Sequence, residues 1–266
     1  MDQVKVGIVI TCFNSVNYTA NAIQSIRTTF PYSLVVVDDF STDGTKPYLQ
    51  SMVRAHNNLW VQTMERNWED AIVLTDIPTN SLGEKWNLGV ETASEKGCQF
   101  VFVCNNDILF SPYTIDAATN RWIKAKENNE RIAIVSALNK RGELQPNTVL
   151  TMSQPTDPTE AESPDFSCFG VDVEVWKEVG KFPTVYEPCY FEDGDFHCTL
   201  AKNNYTAIAT TAAPYYHFGS VTQNSVPGGL CKGPQFEKLR EIFRTRWGFV
   251  PGDPEYDAYV HRKLPV

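Results

Sequence analysis

Acids and carboxamides gather at three places in the 266-residue chain: Asp38-Asp39 followed by Ser41, Asp43 and Gly44; Asn105-Asn106-Asp107; and Glu192-Asp193-Gly194-Asp195. An ionised carboxylate can hold a hard divalent cation through its oxygens, or take a proton from a hydroxyl that must become a nucleophile. Each group also has an ordinary local role. The Asp38 to Gly44 stretch has the composition of a turn leading into a helix N-cap. Asp107 can turn or cap the chain ahead of Pro112, and acids in a first helical turn complement the helix dipole. His217, after Tyr215-Tyr216, reads equally as a core or a surface histidine.

The elements that position these groups decide between the two roles. Four continuous apolar runs, at 6–10, 34–37, 100–103 and 132–135, have the β-branched and aromatic make-up of strands buried on both faces. Helical spacing fills the gaps: Tyr18, Ala22, Ile23 and Ile26 predict a helix over 17–28, and Tyr48, Leu49, Met52 and Val53 one over 45–54. Ser81 and Glu84 make a capping box ahead of Trp86, Val90 and Ala93, and Ser111-Pro112 marks another helix start. This alternation predicts a parallel α/β sheet, in which ligands bind beyond the carboxyl ends of the strands. Those ends are polar: Thr11-Cys12-Phe13-Asn14, Asp38-Asp39 with the turn through Thr45, and Asn105-Asn106-Asp107. On neighbouring strands they would converge on one crevice.

Past residue 145 the alternation stops. A Pro- and acid-rich loop over 154–160 precedes helices expected over 172–179 and from near Asp193 to about Asn203. The tail from Val221 contains Pro227-Gly228-Gly229 and one apolar stripe, Phe236, Leu239, Ile242 and Phe243, which predicts a single packed helix. There is no internal repeat.

Hydrophobic residues at 42% and charged residues at 21% exclude a disordered, collagenous or coiled-coil chain. Against 32 acids stand 23 Lys and Arg, a net charge of −9 that lacks the general attraction for nucleic acid or anionic lipid. No apolar run is long enough for a membrane span, and no basic-then-apolar leader opens the sequence. Seven cysteines without a C-x-x-C pair fit reduced thiols better than a disulfide framework or a zinc ribbon. The expectation is a soluble, unexported, cytoplasmic protein.

Over residues 4–220 five motifs stand in order: Val37-Asp38-Asp39-Phe40-Ser41-Thr42-Asp43-Gly44-Thr45, Gly83-x-x-x-Asn87, Asn105-Asn106-Asp107, Phe191-Glu192-Asp193-Gly194-Asp195, and His217-x-x-x-x-Thr222. Together they resemble the motif set of family 2 glycosyltransferases with the GT-A fold. The resemblance implies an α/β protein with a Rossmann-like, mostly parallel sheet flanked by helices. It would form a single domain over 1–220, with a C-terminal helical extension over 221–266 packed on it. The implied activity is transfer of one hexosyl or deoxyhexosyl unit, with inversion, from a nucleotide-diphosphate sugar (UDP, dTDP or GDP) to a hydroxyl of a glycan, lipid-linked or protein acceptor.

By the same resemblance Asp107 holds Mn²⁺ or Mg²⁺, His217 supplies another metal or pyrophosphate contact, and Asn105 and Asn106 face the sugar and ribose. Thr11, Phe13 and Asp39, with Asp38 nearby, match the base-binding positions. Gly83, Lys85 and Asn87 sit at a helix start that can face the phosphates, where backbone N–H groups attract anions. Asp193 matches the catalytic base, with Glu192 and Asp195 supporting it or binding acceptor. The stretch 166–170 and the segment from Trp176 to Tyr190 precede the base, are rich in aromatics and are expected on the acceptor side; Trp176, which sits at helical spacing, reads at least as well as ordinary core packing. Two departures stand out: Asn105 and Asn106 replace acids, so fewer charges hold the metal, and many relatives carry Arg near Lys85-Trp86. Polysaccharide synthases of the family carry Gln-x-x-Arg-Trp near membrane helices; this chain has Phe243-Arg244-Thr245-Arg246-Trp247, which favours a soluble single-addition enzyme.

Two alternatives remain open on the sequence. One is a nucleotide-sugar-binding protein without turnover, prompted by Asn105 and Asn106. The other is a sugar nucleotidyltransferase, which needs a Gly-rich phosphate loop with a basic residue after the first strand; Thr11-Cys12-Phe13-Asn14-Ser15 is not one.

Overall fold

The computed structural model describes residues 3–57, 68–75, 80–161, 163–225, 229 and 231–261. Its first part alternates: β1 (Val6–Cys12), α1 (Val16–Ser25), β2 (Tyr32–Asp38), α2 (Thr45–Asn57), β3 (Trp68–Thr75), α3 (Leu82–Glu95) and β4 (Phe100–Asn105). There follow β5 (Ile108–Phe110), α4 (Thr114–Glu127), β6 (Ile132–Asn139), α5 (Pro146–Val149), β7 (Glu160–Ala161), β8 (Cys168–Asp172), α6 (Val173–Val179), α7 (Glu192–Lys202) and β9 (Thr206–His217). Among the described residues there follow α8 (Val221–Ser225), α9 (Pro234–Trp247) and α10 (Pro254–Val260).

The strands form one sheet in the order β3-β2-β1-β4-β8-β6-β9-β5, with β7 added on β9. Most of its paired length is parallel: β1 with β2 and β4, β2 with β3, and β6 with β9. β8 runs antiparallel between β4 and β6, and β5 and β7 run antiparallel to β9. Every residue of β1 and β2 is buried, as a continuous apolar strand needs when helices cover both faces. On one face α1, α2 and α4 enclose Ile8, Leu34, Phe100, Phe102 and Trp122; on the other α3, α6 and α7 enclose Val9, Val35, Trp86, Phe169 and Phe196.

Register places the polar strand ends side by side. Thr11 lies opposite both Val37 of β2 and Asn105 of β4, and Cys12 lies opposite Asp38. The capping box forms as expected, with Ser81 Oγ accepting from Glu84 N at 3.2 Å and Glu84 Oε2 accepting from Ser81 N at 3.4 Å.

Two elements differ from expectation. The first helix stops at Ser25, not 28, because the Asp116 carboxylate accepts from Thr28 Oγ1 (2.5 Å) and Thr29 N (3.0 Å) and diverts the chain from the helix. The tail holds three helices where one stripe predicted one. Pro227 and Gly228 lie outside the described residues, and Leu239, Phe243, Val250 and Val260 share a third core with Tyr186, Phe191 and Cys198.

Candidate active site

A cavity of about 580 Å³ opens at the ends of β1, β2 and β4. The loops after these strands supply Thr11, Cys12, Phe13, Asp39, Asn105, Asn106 and Asp107, α3 adds Leu82, Lys85 and Trp86, and His217 comes from the end of β9. Residues 164–167, 188–190, Glu192, Asp193 and 220–223 complete the lining. The three expected strand ends therefore do share one crevice.

Pairing of β5 with β9 sets Ile108 opposite His217, which carries the histidine to Asp107 across 110 positions of sequence. Their Nε2 and Oδ1 atoms stand 3.1 Å apart; Asp107 Oδ2 accepts from Val221 N at 3.3 Å, and Phe218 N donates to the Asp107 carbonyl at 2.9 Å. Among the described residues no group of three His, Cys, Asp or Glu could hold a metal. One carboxylate and one imidazole nonetheless suit Mn²⁺ or Mg²⁺, hard ions that take further oxygens from phosphates and water. The donor set fits such an ion bound together with a diphosphate. Asn105 is half-buried on the cavity wall. Asn106 is buried, and its Nδ2 donates to Thr19 Oγ1 at 3.0 Å, fixing the loop to α1.

On the β2 side Lys85 Nζ stands 2.6 Å from Asp39 Oδ2, with Phe13 half-buried beside them in the cavity lining. Asp38 is placed differently. Fully buried and off the cavity wall, it accepts from the Ser41 hydroxyl and, at 3.6 Å, from the Cys12 thiol, whose pKa burial and then the Asp38 charge push up. It shapes the 38–43 turn, which Asn14 braces through an Oδ1 that accepts from Thr42 N at 2.7 Å.

Gly83 and Asn87 also lie off the cavity wall. The Asn87 amide is taken up by one backbone unit: Nδ2 donates to Phe182 O and Oδ1 accepts from Phe182 N, each at 2.8 Å. A Cβ on Gly83 would sit 2.2 Å from Pro183 O, so the glycine lets α3 approach that segment. Of Gly83, Lys85 and Asn87, Lys85 alone belongs to the cavity lining. For Trp176 the core reading holds and the acceptor-side one does not. It is 1% exposed, in the core with Trp86, Phe169 and Phe182, because its helical spacing turns it to the sheet and away from any acceptor.

Glu192 and Asp193 form the first turn of α7, entered through Tyr190 (φ 82°) and Phe191 (φ 78°), two non-glycine residues in the left-handed region. Such backbone is costly and is held where the surrounding packing fixes it. Asp193 is half-buried and accepts from Gly194 N at 2.7 Å; burial nonetheless raises its pKa. Glu192 is buried, and burial followed by the Asp193 charge raises its pKa well above the usual carboxylate range. Asp195 points away from the cavity, to Tyr186 Oη at 2.6 Å and Arg246 Nε at 2.5 Å. Cys189 and Tyr190 lie at the end of the segment expected on the acceptor side and do belong to the wall; Asp165 and Gln223, also on it, were not singled out from the sequence.

A Rossmann-like, mostly parallel sheet with acids at its strand ends is the architecture of the GT-A fold class. The sequence profile of Glycosyl transferase family 2 matches residues 7–148, just over half of the chain, and the chain belongs to that family. Similar solved structures include the mannosyltransferase PcManGT from Pyrobaculum calidifontis in complex with GDP-Man and Mn²⁺, 16% identical, covering 97% of this chain and 70% of that one at a TM-score of 0.61. GalNAc-T7 with UDP, GalNAc and Mn²⁺ is 14% identical at a TM-score of 0.66, and matches 97% of this chain but only 50% of its own. S. aureus TarS 1-349 in complex with UDP is 17% identical, with 97% and 70% covered and a TM-score of 0.59. No curated protein sequence matches the chain.

Proposed function

We propose that this glycosyltransferase is inverting and metal-dependent, and moves one hexosyl or deoxyhexosyl unit from a nucleoside diphosphate sugar to an acceptor hydroxyl. The observation that carries the reading is that the Asp107–His217 pair, the Asp39–Lys85 pair and the acid Asp193 line one cavity.

Asp39 and Lys85 set a hydrogen-bond acceptor beside a donor. Such a pair can take an N–H next to a C=O, as in uracil, thymine or guanine. Phe13 offers its ring to the base, and Thr11 and Asn105 offer polar atoms near it. Asp107 and His217 would hold the divalent ion, which when bound neutralises charge on the leaving diphosphate. Asp193 accepts the acceptor hydroxyl's proton as that oxygen bonds to the anomeric carbon. The bond from that carbon to the diphosphate oxygen breaks on the opposite face, and its electron pair departs with the nucleoside diphosphate. A single displacement of this kind inverts the centre. A pKa raised by burial makes Asp193 a stronger base than an exposed aspartate once it is ionised.

Calorimetric titration with UDP, dTDP, GDP, ADP and CMP, with Mn²⁺ and then with EDTA, tests the reading on wild type and on Asp107→Ala. One diphosphate is expected to bind in a metal-dependent manner, and Asp107→Ala is expected to abolish that dependence. Binding indifferent to both metal and Asp107 overturns it. Among the described residues no helix is long and apolar enough to cross a membrane.

A further inference from the structure

The C-terminal segment is seated on the turn that carries Asp193. A Cβ on Gly194 would stand 3.0 Å from Pro251 Cγ, 3.3 Å from the Phe243 ring and 3.6 Å from Tyr256 Oη, so these side chains occupy the place of the missing one. Gly194 N is also the group that donates to Asp193 Oδ1, at 2.7 Å. Packing from α9, α10 and the turn between them therefore reaches the carboxylate through a single residue.

Behind that turn lies a titratable pair for which the transfer step has no use. His197, one helical turn beyond Asp193 on α7, is 3% exposed, and its Nδ1 stands 3.2 Å from Tyr256 Oη. Burial, and then the His261 charge, push the His197 pKa down to about 3, while burial followed by the Asp193 charge raises that of Tyr256. At neutral pH both groups are uncharged, and a neutral imidazole and a phenol can share one hydrogen bond. The Tyr256 ring is held in place by Phe243 and Phe249, each at 6.2 Å. His197 also meets Phe166, a residue of the cavity lining, edge-on at 5.9 Å.

Resting on the assignment of Asp193 as the base, we propose that Tyr256 and His197 are positioning residues for the transfer: the pair backs the first turn of α7, keeps Gly194 N on the Asp193 carboxylate and excludes water from behind it. An uncharged backing leaves the lost hydration of Asp193 uncompensated, which favours the protonated carboxyl and makes the ionised form a stronger base. Asp165, Glu192 and Lys85 act on Asp193 from the cavity, and the nearby Arg246 is taken up by Asp195. Cys198 on α7, Asp257 on α10 and His261 at its end face the pair itself. A reacting group misplaced by about 1 Å can lose about 10²-fold in rate, so a support of this kind bears on turnover more than on binding. The C-terminal segment is on this reading a working part of the catalytic apparatus.

NMR on the full chain carrying carboxyl-labelled aspartate provides the test. The Asp193 signal is assigned by its loss in Asp193→Asn and titrated with pH in wild type, Tyr256→Ala and Tyr256→Phe. Tyr256→Ala is expected to move the titration down, toward that of an ordinary aspartate, because water reaches the carboxylate from behind. Tyr256→Phe keeps the ring over Gly194 and is expected to hold most of the wild-type position. Should Tyr256→Ala fail to fold, Tyr256→Leu carries the same expectation. Release of nucleoside diphosphate from UDP-glucose, UDP-N-acetylglucosamine, dTDP-glucose and GDP-mannose, with Mn²⁺ and with water as acceptor, is followed on the same proteins. On a donor that wild type turns over, Tyr256→Ala is expected to be slower by about ten- to a hundredfold, with nucleotide affinity unchanged by calorimetry. An Asp193 titration identical in wild type and in Tyr256→Ala protein that urea unfolding shows to be folded overturns the proposal and leaves the transferase reading standing. An Asp193→Asn protein that turns over donor as fast as wild type overturns the assignment of the base, and the proposal with it.

Discussion

Arg246 on α9 donates from Nε to Asp195 Oδ2 at 2.5 Å and from Nη2 to Oδ1 at 3.3 Å, tying the C-terminal segment to the helical turn that carries Asp193. Asp195 is 1% exposed, and Tyr186 Oη is its other side-chain partner, at 2.6 Å. Removing one member of a fully buried pair costs about 3–5 kcal/mol. The Arg246 side chain is 43% exposed, so solvent screens the loss and about 1–2 kcal/mol is the better expectation. Arg246→Ala should therefore lower the denaturant midpoint and kcat while nucleotide affinity holds, and Arg246→Lys should recover part of both. Urea unfolding and calorimetry on the same samples check this.

Asp193→Asn removes the base and keeps the shape. Turnover is expected to fall by about 10²–10⁴-fold with nucleotide binding unchanged; a variant that keeps full function identifies a binder. In wild type, burial raises the Asp193 pKa, so the acid limb of the pH–rate profile should lie above that of an ordinary aspartate. The stability sign is a separate matter. Glu192 and Asp193 hold protons more tightly folded than unfolded, so their contribution favours folding below the unfolded values of about 4 and is lost as pH rises to the raised folded values. Glu192→Gln should flatten the fall in stability across that window, read from urea midpoints at a series of pH values.

The alternation in residues 1–140 was legible because strands buried on both faces must be continuously apolar, and β1, β2, β4 and β6 are. β3 was missed: it opens with Trp68-Glu69-Asp70 at the sheet edge, where charge is tolerated and the apolar run is short. β9 was missed because Ala and Thr fill much of it, and β8 because Gly170 interrupts it; a Cβ there would lie 2.2 Å from the Phe100 ring. The acids on strand ends could be placed from sequence, since local order sets which side of the sheet they reach. Asp195 with Arg246, and Asn87 with Phe182, could not. Partners 51 and 95 residues apart leave no local pattern.

Metal dependence should track two residues. Asp107→Ala removes the carboxylate and His217→Ala the imidazole, and each is expected to weaken Mn²⁺-dependent nucleotide binding by at least about tenfold. Residual binding in EDTA should be equal in wild type and variants. A His217→Ala protein that retains full metal dependence would show that the imidazole only positions Asp107 through the 3.1 Å contact.

Base choice should reside in the 2.6 Å Asp39–Lys85 pair. Unpaired polar groups in a site reject the wrong edge strongly. UDP, dTDP or GDP should bind at least about tenfold better than ADP, and Asp39→Ala should erase most of that ratio. Lys85→Met should also weaken the preferred nucleotide. An unchanged ratio in Asp39→Ala would move base recognition elsewhere.

Trp176 offers the contrasting case, a residue whose type suggested sugar stacking and whose position denies it. Its ring is enclosed with Phe169 and Phe182, and Lys181 Nζ lies 5.4 Å from the ring centroid. Deleting it empties a large volume between α6 and the sheet, at a cost of about 3–5 kcal/mol. Trp176→Ala is therefore expected to lower the melting temperature sharply and leave the KM for donor and acceptor unchanged in protein that remains folded at low temperature. Tyr190→Ala should do the reverse, because its ring is partly exposed on the cavity wall and removing it empties no core. If Trp176→Ala weakens acceptor binding with stability intact, the acceptor wall extends to α6.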